Sequence, residues 1–130
     1  MTARSQTLFK LTSKRGTTAI EYAIILPAFL LCVLGILDIG RLFWTTATLQ
    51  RAVASAARCA GIASPDCTTT TQIKVKAVDE AWGVSLGPQA INVAKQACGM
   101  RVTATYAFAF SVPGFSPITL TSSTCYATNP

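Results

Sequence analysis

TTAIEYAIILPAFLLCVLGIL, residues 17–37, holds one charged side chain, Glu21, in 21 positions. At about 1.5 Å per residue a helix of this length is roughly 31 Å long, about one bilayer hydrocarbon core. A helix that is apolar on every side needs lipid or a protein core around it. The core alternative fails here, because no other stretch of the 130-residue chain is large enough to cover such a helix. The segment therefore reads as a membrane span. The composition agrees: 51% hydrophobic and 12% charged is too apolar for a soluble domain of this size. Pro27 lies mid-span, lacks an amide hydrogen, and is expected to kink or loosen the helix.

The flanks give the span a direction. Residues 1–16 carry Arg4, Lys10, Lys14 and Arg15 and no acid, and read as a targeting leader. Cations close to one end of a span hold that end in the cytoplasm. The C-terminal part is then exported, with a periplasmic location expected. Net charge is +6, but outside these four residues seven cations face five acids. The basicity belongs mostly to the leader. No basic patch with interleaved aromatics occurs elsewhere, so nucleic acid is not an expected partner. The chain has no histidine, which removes the commonest general base and metal ligand.

Helical spacing continues past the span. Leu42, Leu49, Val53, Ala56 and Ala60 share one stripe, and Arg41, Thr48, Arg51, Ser55 and Arg58 another. Gly61 reads as a C-cap and Pro65 as a stop signal. Phe43 and Trp44 stand where interfacial aromatic anchors belong. The expected organisation is a leader over 1–16, a transmembrane half-helix over 17–38, an amphipathic extension over 39–62 and a small exported domain over 63–130.

Within that domain, 64–71 reads as a loop, and 72–82 and 88–97 as two short helices. The first of these also alternates at Ile73, Val75 and Ala77, as a strand would. Over 100–112, Val102, Ala104, Tyr106, Phe108 and Phe110 alternate with smaller or polar residues, which predicts a strand with one apolar face. Pro113, Gly114 and Pro117 mark a turn, and 118–126 gives a second strand with Ile118 and Leu120 on one side. The expected fold class is α+β: a long N-terminal helix, short helices, and a β-hairpin packed on the helix's outer half.

Cys32 lies in the span and reads as a free, buried thiol. It is not a lipoprotein cysteine, because the residue before it is Leu31 rather than a small one. Cys59, Cys67, Cys98 and Cys125 fall in the exported part, where two disulfides are expected. Three pairings are possible. Cys59–Cys67 would pin the helix end to its loop, and Cys98–Cys125 would tie the ends of the hairpin. The second pairing carries a tension, since a tight turn near residue 115 places Cys125 opposite about residue 105. A zinc site is disfavoured because no C-x-x-C spacing occurs. Asp79 and Glu80 are adjacent and point to different faces of a helix, as on a solvated surface. No nucleophile–base arrangement and no glycine-rich phosphate loop is present. No catalytic residue, metal or cofactor is expected, and an exported enzyme is the weakest reading.

The junction Lys14-Arg15-Gly16-Thr17-Thr18-Ala19-Ile20-Glu21-Tyr22 carries the most information. It resembles the processing site of type IV pilins, in particular the Flp-type or tight-adherence branch. The resemblance implies that a prepilin peptidase cuts between Gly16 and Thr17. Glu21 and Tyr22 then become the fifth and sixth residues of the mature chain. A carboxylate just inside a span is costly in lipid and tends to be paired. The resemblance implies that Glu21 pairs with the N-terminal amine of a neighbouring subunit and sets axial register.

Gly16 to Gly61 is further similar to the TadE-like family of minor pseudopilins. Its carriers are the Gly16/Glu21/Tyr22 junction, Leu26-Pro27, Gly35-Ile36-Leu37-Asp38-Ile39-Gly40-Arg41 and Ala56-Ala57-Arg58. The terminal strand pair also looks like the tails of this family. That family often has Phe where Tyr22 stands. Flp major pilins have Tyr there, but little chain beyond the helix. A type II secretion pseudopilin would usually carry Phe where this chain has Thr17. The resemblance implies a bacterial inner-membrane protein that assembles or primes a tight-adherence pilus for surface attachment. Its implied partners are the peptidase, other pilin or pseudopilin subunits, and the assembly machinery. Gly35, Gly40, Ala47, Ala54 and Ala57 would permit close helix approach. The alternative is an uncleaved single-pass protein whose exported domain recruits a partner.

Overall fold

The apolar segment and the amphipathic stretch after it form one continuous helix. The computed structural model describes residues 14–128, with side chains from Thr18 onward. Helix α1 spans Lys14–Gly61 and passes through Pro27. Residues 1–13 of the expected leader lie outside the described residues. The chain divides into two units, Met1–Val33 and Leu34–Pro130.

In the first unit, every side chain from Thr18 to Cys32 is exposed. Cys32 is a free thiol on that surface, not a buried one as expected. The exposed set includes Ile20, Ile24, Ile25, Leu26, Phe29, Leu30 and Leu31.

In the second unit one side of α1 becomes the floor of a small domain. Asp38, Thr45, Thr48, Leu49, Ala52, Val53, Ala56 and Ala57 are buried there. They recur every three or four residues, as one helix face must. The expected stripe holds for Leu49, Val53 and Ala56. Thr48 does not belong to the polar stripe; it faces the core. The alanines of this face leave room for the other elements to approach closely. Ile73 and Ala77 from α2 (Thr70–Asp79) and Ile91, Val102 and Ala104 from the sheet complete the cluster.

Helix α1 ends in a Schellman arrangement. The Ser64 amide donates to the Cys59 carbonyl and the Ala63 amide to the Ala60 carbonyl, each at 3.3 Å. The left-handed residue is Ala63, at φ 50°, so Gly61 is not the cap that the sequence reading made it. Gly61 closes the helix, and a Cβ on it would strike the Tyr126 ring. The glycine is required by a distant strand rather than by its own turn. Pro65–Cys67 then forms a short 3-10 turn.

Helix α2 begins at Thr70 because Thr69 and Gln72 form a capping box. The helical reading of Ile73, Val75 and Ala77 prevails over the strand one. The second expected helix, 88–97, is overturned. After a 3-10 turn at Pro88–Ala90, strand β1 occupies Ile91–Gln96. Ala94, Lys95 and Gln96 favour helix intrinsically, but pairing to a neighbouring strand decides. Ile91 lies opposite Ala104, and Gln96 opposite Gly99.

Strand β2 is Gly99–Phe108 and strand β3 is Ile118–Tyr126, in an antiparallel sheet of order β1-β2-β3. The expected hairpin is thus β2–β3, with β1 added on its other edge. Met100, Val102, Ala104, Tyr106 and Phe108 form the inward face, as their alternation requires. Phe110 lies beyond the strand end.

The register settles the tension over Cys125. Phe108 pairs with Ile118 and Arg101 with Cys125, so the connection is a loop over 109–117, not a tight turn near 115. Cys98 sits in the β1–β2 turn and is bonded to Cys125, with Cα atoms 6.2 Å apart. That bridge ties the turn to the edge strand. Cys59 is bonded to Cys67, joining the last turn of α1 to the 3-10 turn.

The end of α1 yields a test. Ala63→Gly removes the left-handed penalty and is expected to raise stability by about 1 kcal/mol. Gly61→Val is expected to lower it. Urea unfolding of the detergent-solubilised full chain reads both.

Candidate functional site

Two places carry functional interest: the exposed early turns of α1 and the point where the domain meets the helix. Gly16 and Thr17 lie in the first turn of α1. Glu21 and Tyr22 follow on the same helix, both exposed, Tyr22 at 68%. No domain residue is needed to position them; the helix backbone alone does so. From Thr18 to Gly61, α1 is long and apolar enough to cross a membrane. Its most apolar 18-residue window has a mean hydropathy of 2.5 and is 6% buried.

The domain meets α1 at Asp38. This carboxylate is 3% exposed, immediately after the apolar run. An ionised carboxylate only accepts hydrogen bonds, and buried it must find donors. Asp38 Oδ2 accepts from the backbone amides of Ser111 at 2.7 Å and Val112 at 3.1 Å. Its Oδ1 accepts from Arg41 Nη1 at 3.1 Å. The same Nη1 donates to Ser111 Oγ at 2.7 Å.

Arg41 can do this because it stands one helical turn beyond Asp38, on the same side. Its guanidinium also lies 5.4 Å from the centre of the Phe108 ring, within cation–π range. Phe108 meets Phe110 edge-on at 5.3 Å, and Phe110 meets Phe115 at 5.7 Å. On the next turn, Thr45 and Thr46 satisfy their hydroxyls internally, donating to the carbonyls of Arg41 and Leu42 at 2.8 Å. The result is a clasp: one acid and one base from α1 hold the start of the 109–117 loop.

Beside the clasp lies a groove of about 500 Å³, lined by Ile36, Leu37, Arg41, Trp44, Tyr106 and Phe108 among others. The groups of the clasp are already spent on one another, and none is set as a nucleophile beside a base. Among the described residues, no cluster of three or more His, Cys, Asp or Glu side chains could hold a metal. Glu80 pairs with Lys76 at 3.1 Å and approaches Arg51 at 3.9 Å, while Asp79 is exposed. Such surface pairs contribute little. Among the small residues proposed for helix approach, Ala57 is fully buried under the domain and is unavailable. Gly40, Ala47 and Ala54 are exposed.

Sequence reading placed Asp38 at the end of the span and Arg41 on the polar stripe, and gave neither a partner. Their partners lie some 70 residues away along the chain. The signal available was local: an acid and a base three apart at the end of an apolar run.

Comparison with known proteins adds one finding. The family model described as TadE-like protein matches residues 16–58. The matched segment contains Gly16, Glu21, Tyr22, Asp38 and Arg41, and it agrees with the resemblance drawn from the junction. No curated protein and no solved structure matches the chain.

Removing the clasp should free the loop. Asp38→Ala strands the Ser111 and Val112 amides without their acceptor. Hydrogen exchange at these two amides should accelerate about tenfold or more, while the amides of Val102 and Ala104 in the sheet keep their protection.

Proposed function

We propose that this chain, whose residues 16–58 match the TadE-like family, is a minor pseudopilin that helps assemble or prime a tight-adherence pilus. The observation that carries this reading is the coincidence of that match with a helix whose side chains are exposed and mostly apolar from Thr18 to Cys32. A surface of that kind needs lipid, other helices, or each in turn. A pilin-like subunit supplies both situations, first in the membrane and then among neighbouring subunits. The role is structural rather than catalytic.

In this reading residues 1–16 are a cytoplasmic leader removed by a prepilin peptidase. Residues 17–38 cross the inner membrane once, 39–62 extend the helix outside it, and 63–130 form the periplasmic domain. The leader cations Arg4, Lys10, Lys14 and Arg15 support that orientation. Cutting after Gly16 creates an α-amine on Thr17. Glu21 is then a carboxylate about one turn inside the new terminus, suited to pair with the amine of an adjacent subunit. Tyr22 lies beside it. The two disulfides fit an oxidising compartment.

The alternative of an uncleaved single-pass protein differs in mass. In cells containing the peptidase, the membrane-extracted chain is expected to begin at Thr17, and Gly16→Leu is expected to leave the leader attached. Glu21→Ala should be processed normally but lose co-purification with the other pilin subunits. An intact leader on the wild-type chain contradicts the pilin reading and favours the uncleaved one.

A further inference from the structure

We propose that the 109–117 loop is a second membrane contact, docking its apolar side chains in the outer interfacial layer of the bilayer that α1 crosses. The inference rests on the membrane reading above and adds a lipid-facing element in the exported domain.

Depth is the first argument. The apolar run of α1 ends at Leu37, and the next residue is Asp38. If residues up to Leu37 lie in hydrocarbon, the Asp38 carboxylate lies at its edge. Two backbone amides of the loop, Ser111 and Val112, are hydrogen-bonded to that carboxylate and share its level. The sheet runs the same way. Its far end lies beside Gly61, where Tyr126 packs, and its near end delivers Phe108 to Arg41. Tyr106 and Phe108 also line one groove with Ile36 and Leu37, the last residues of the span. The interfacial layer is several Å thick on each side of a hydrocarbon core of about 30 Å, and apolar groups on amphipathic elements enter it by about 5–10 Å. The loop falls inside that layer.

Chemistry is the second argument. The sequence has no charged residue after Arg101. The loop AFSVPGFSP over 109–117 presents Phe115 at 65% exposure, its ring 5.7 Å from that of Phe110 and tilted 49° to it. A large exposed aromatic at the tip of an uncharged loop suits the headgroup boundary. Phe43 and Trp44 on α1 are exposed at 75% and 64%, a little further out. With Phe115 they mark the belt expected where protein passes from lipid to water. Asp38 and Arg41 are then the positioning residues that set the depth of the loop.

The test uses the full chain in phosphatidylcholine vesicles. With Trp44→Phe and Trp82→Phe as background, Phe115→Trp places one tryptophan in the loop, and Phe29→Trp places one in the span. Ser116→Trp serves as a second loop reporter should Phe115→Trp fail to fold. Lipids brominated near the headgroup end of their chains are expected to quench the loop tryptophan strongly. Lipids brominated near the chain ends should quench it weakly, with the order reversed for Phe29→Trp. Adding Asp38→Ala should reduce the loop quenching and leave that at position 29 unchanged. A loop tryptophan insensitive to bromolipid but open to aqueous iodide, with position 29 still quenched, overturns the proposal and leaves the membrane reading intact. Absence of bromolipid quenching at both positions overturns both.

Discussion

Apolar surface left in water costs about 25 cal/mol for each Å², and α1 carries such surface on every side through its early turns. Ile20, Ile24, Ile25, Leu26, Phe29, Leu30, Leu31, Ile36 and Leu37 are all half or more exposed. Nothing else in the chain supplies an equivalent run, so the surface must be covered by something other than this chain. That requirement explains the helix's length and its scarcity of charge. It also explains the change at Asp38, the first buried position among the described side chains of the helix, where protein begins to cover one face.

The domain beyond Asp38 is small, and its means of stability follow from its size. A few apolar side chains from α1, α2 and the sheet form the core. Two disulfides reinforce it, as a core this small commonly requires. Both bridges sit at the end of the domain away from Asp38: Cys59–Cys67 holds the end of α1, and Cys98–Cys125 ties the β1–β2 turn to β3. The clasp at Asp38 secures the remaining end of the sheet. It does so with charge-assisted hydrogen bonds from the Ser111 and Val112 amides and from Arg41.

Much of this was legible in the order of residues, for stated reasons. The apolar run, the alternation at Val102, Ala104, Tyr106 and Phe108, and the stripe at Leu49, Val53 and Ala56 are periodic. Periodicity is what local sequence reports well. The misreadings share one cause. Ile91–Gln96 has helical residues but is recruited by β2. Gly61 looks like a cap but is demanded by Tyr126. Asp38 was given no partner, and it accepts from residues 73 and 74 positions away. Each depends on a contact that the neighbouring sequence does not encode. The roles proposed for Gly16, Glu21 and Tyr22 come from family resemblance alone, and no periodicity or contact within the chain encodes them.

The proposed pseudopilin role places the exposed early turns of α1 against other helices of a pilus. It is tested most directly by photo-crosslinking in cells that carry the assembly system. A photoreactive residue in place of Ile25 should give a discrete adduct with another pilin-like subunit, which disappears when Glu21 is replaced by Ala. Adducts with lipid alone, unchanged by Glu21→Ala, would contradict the account.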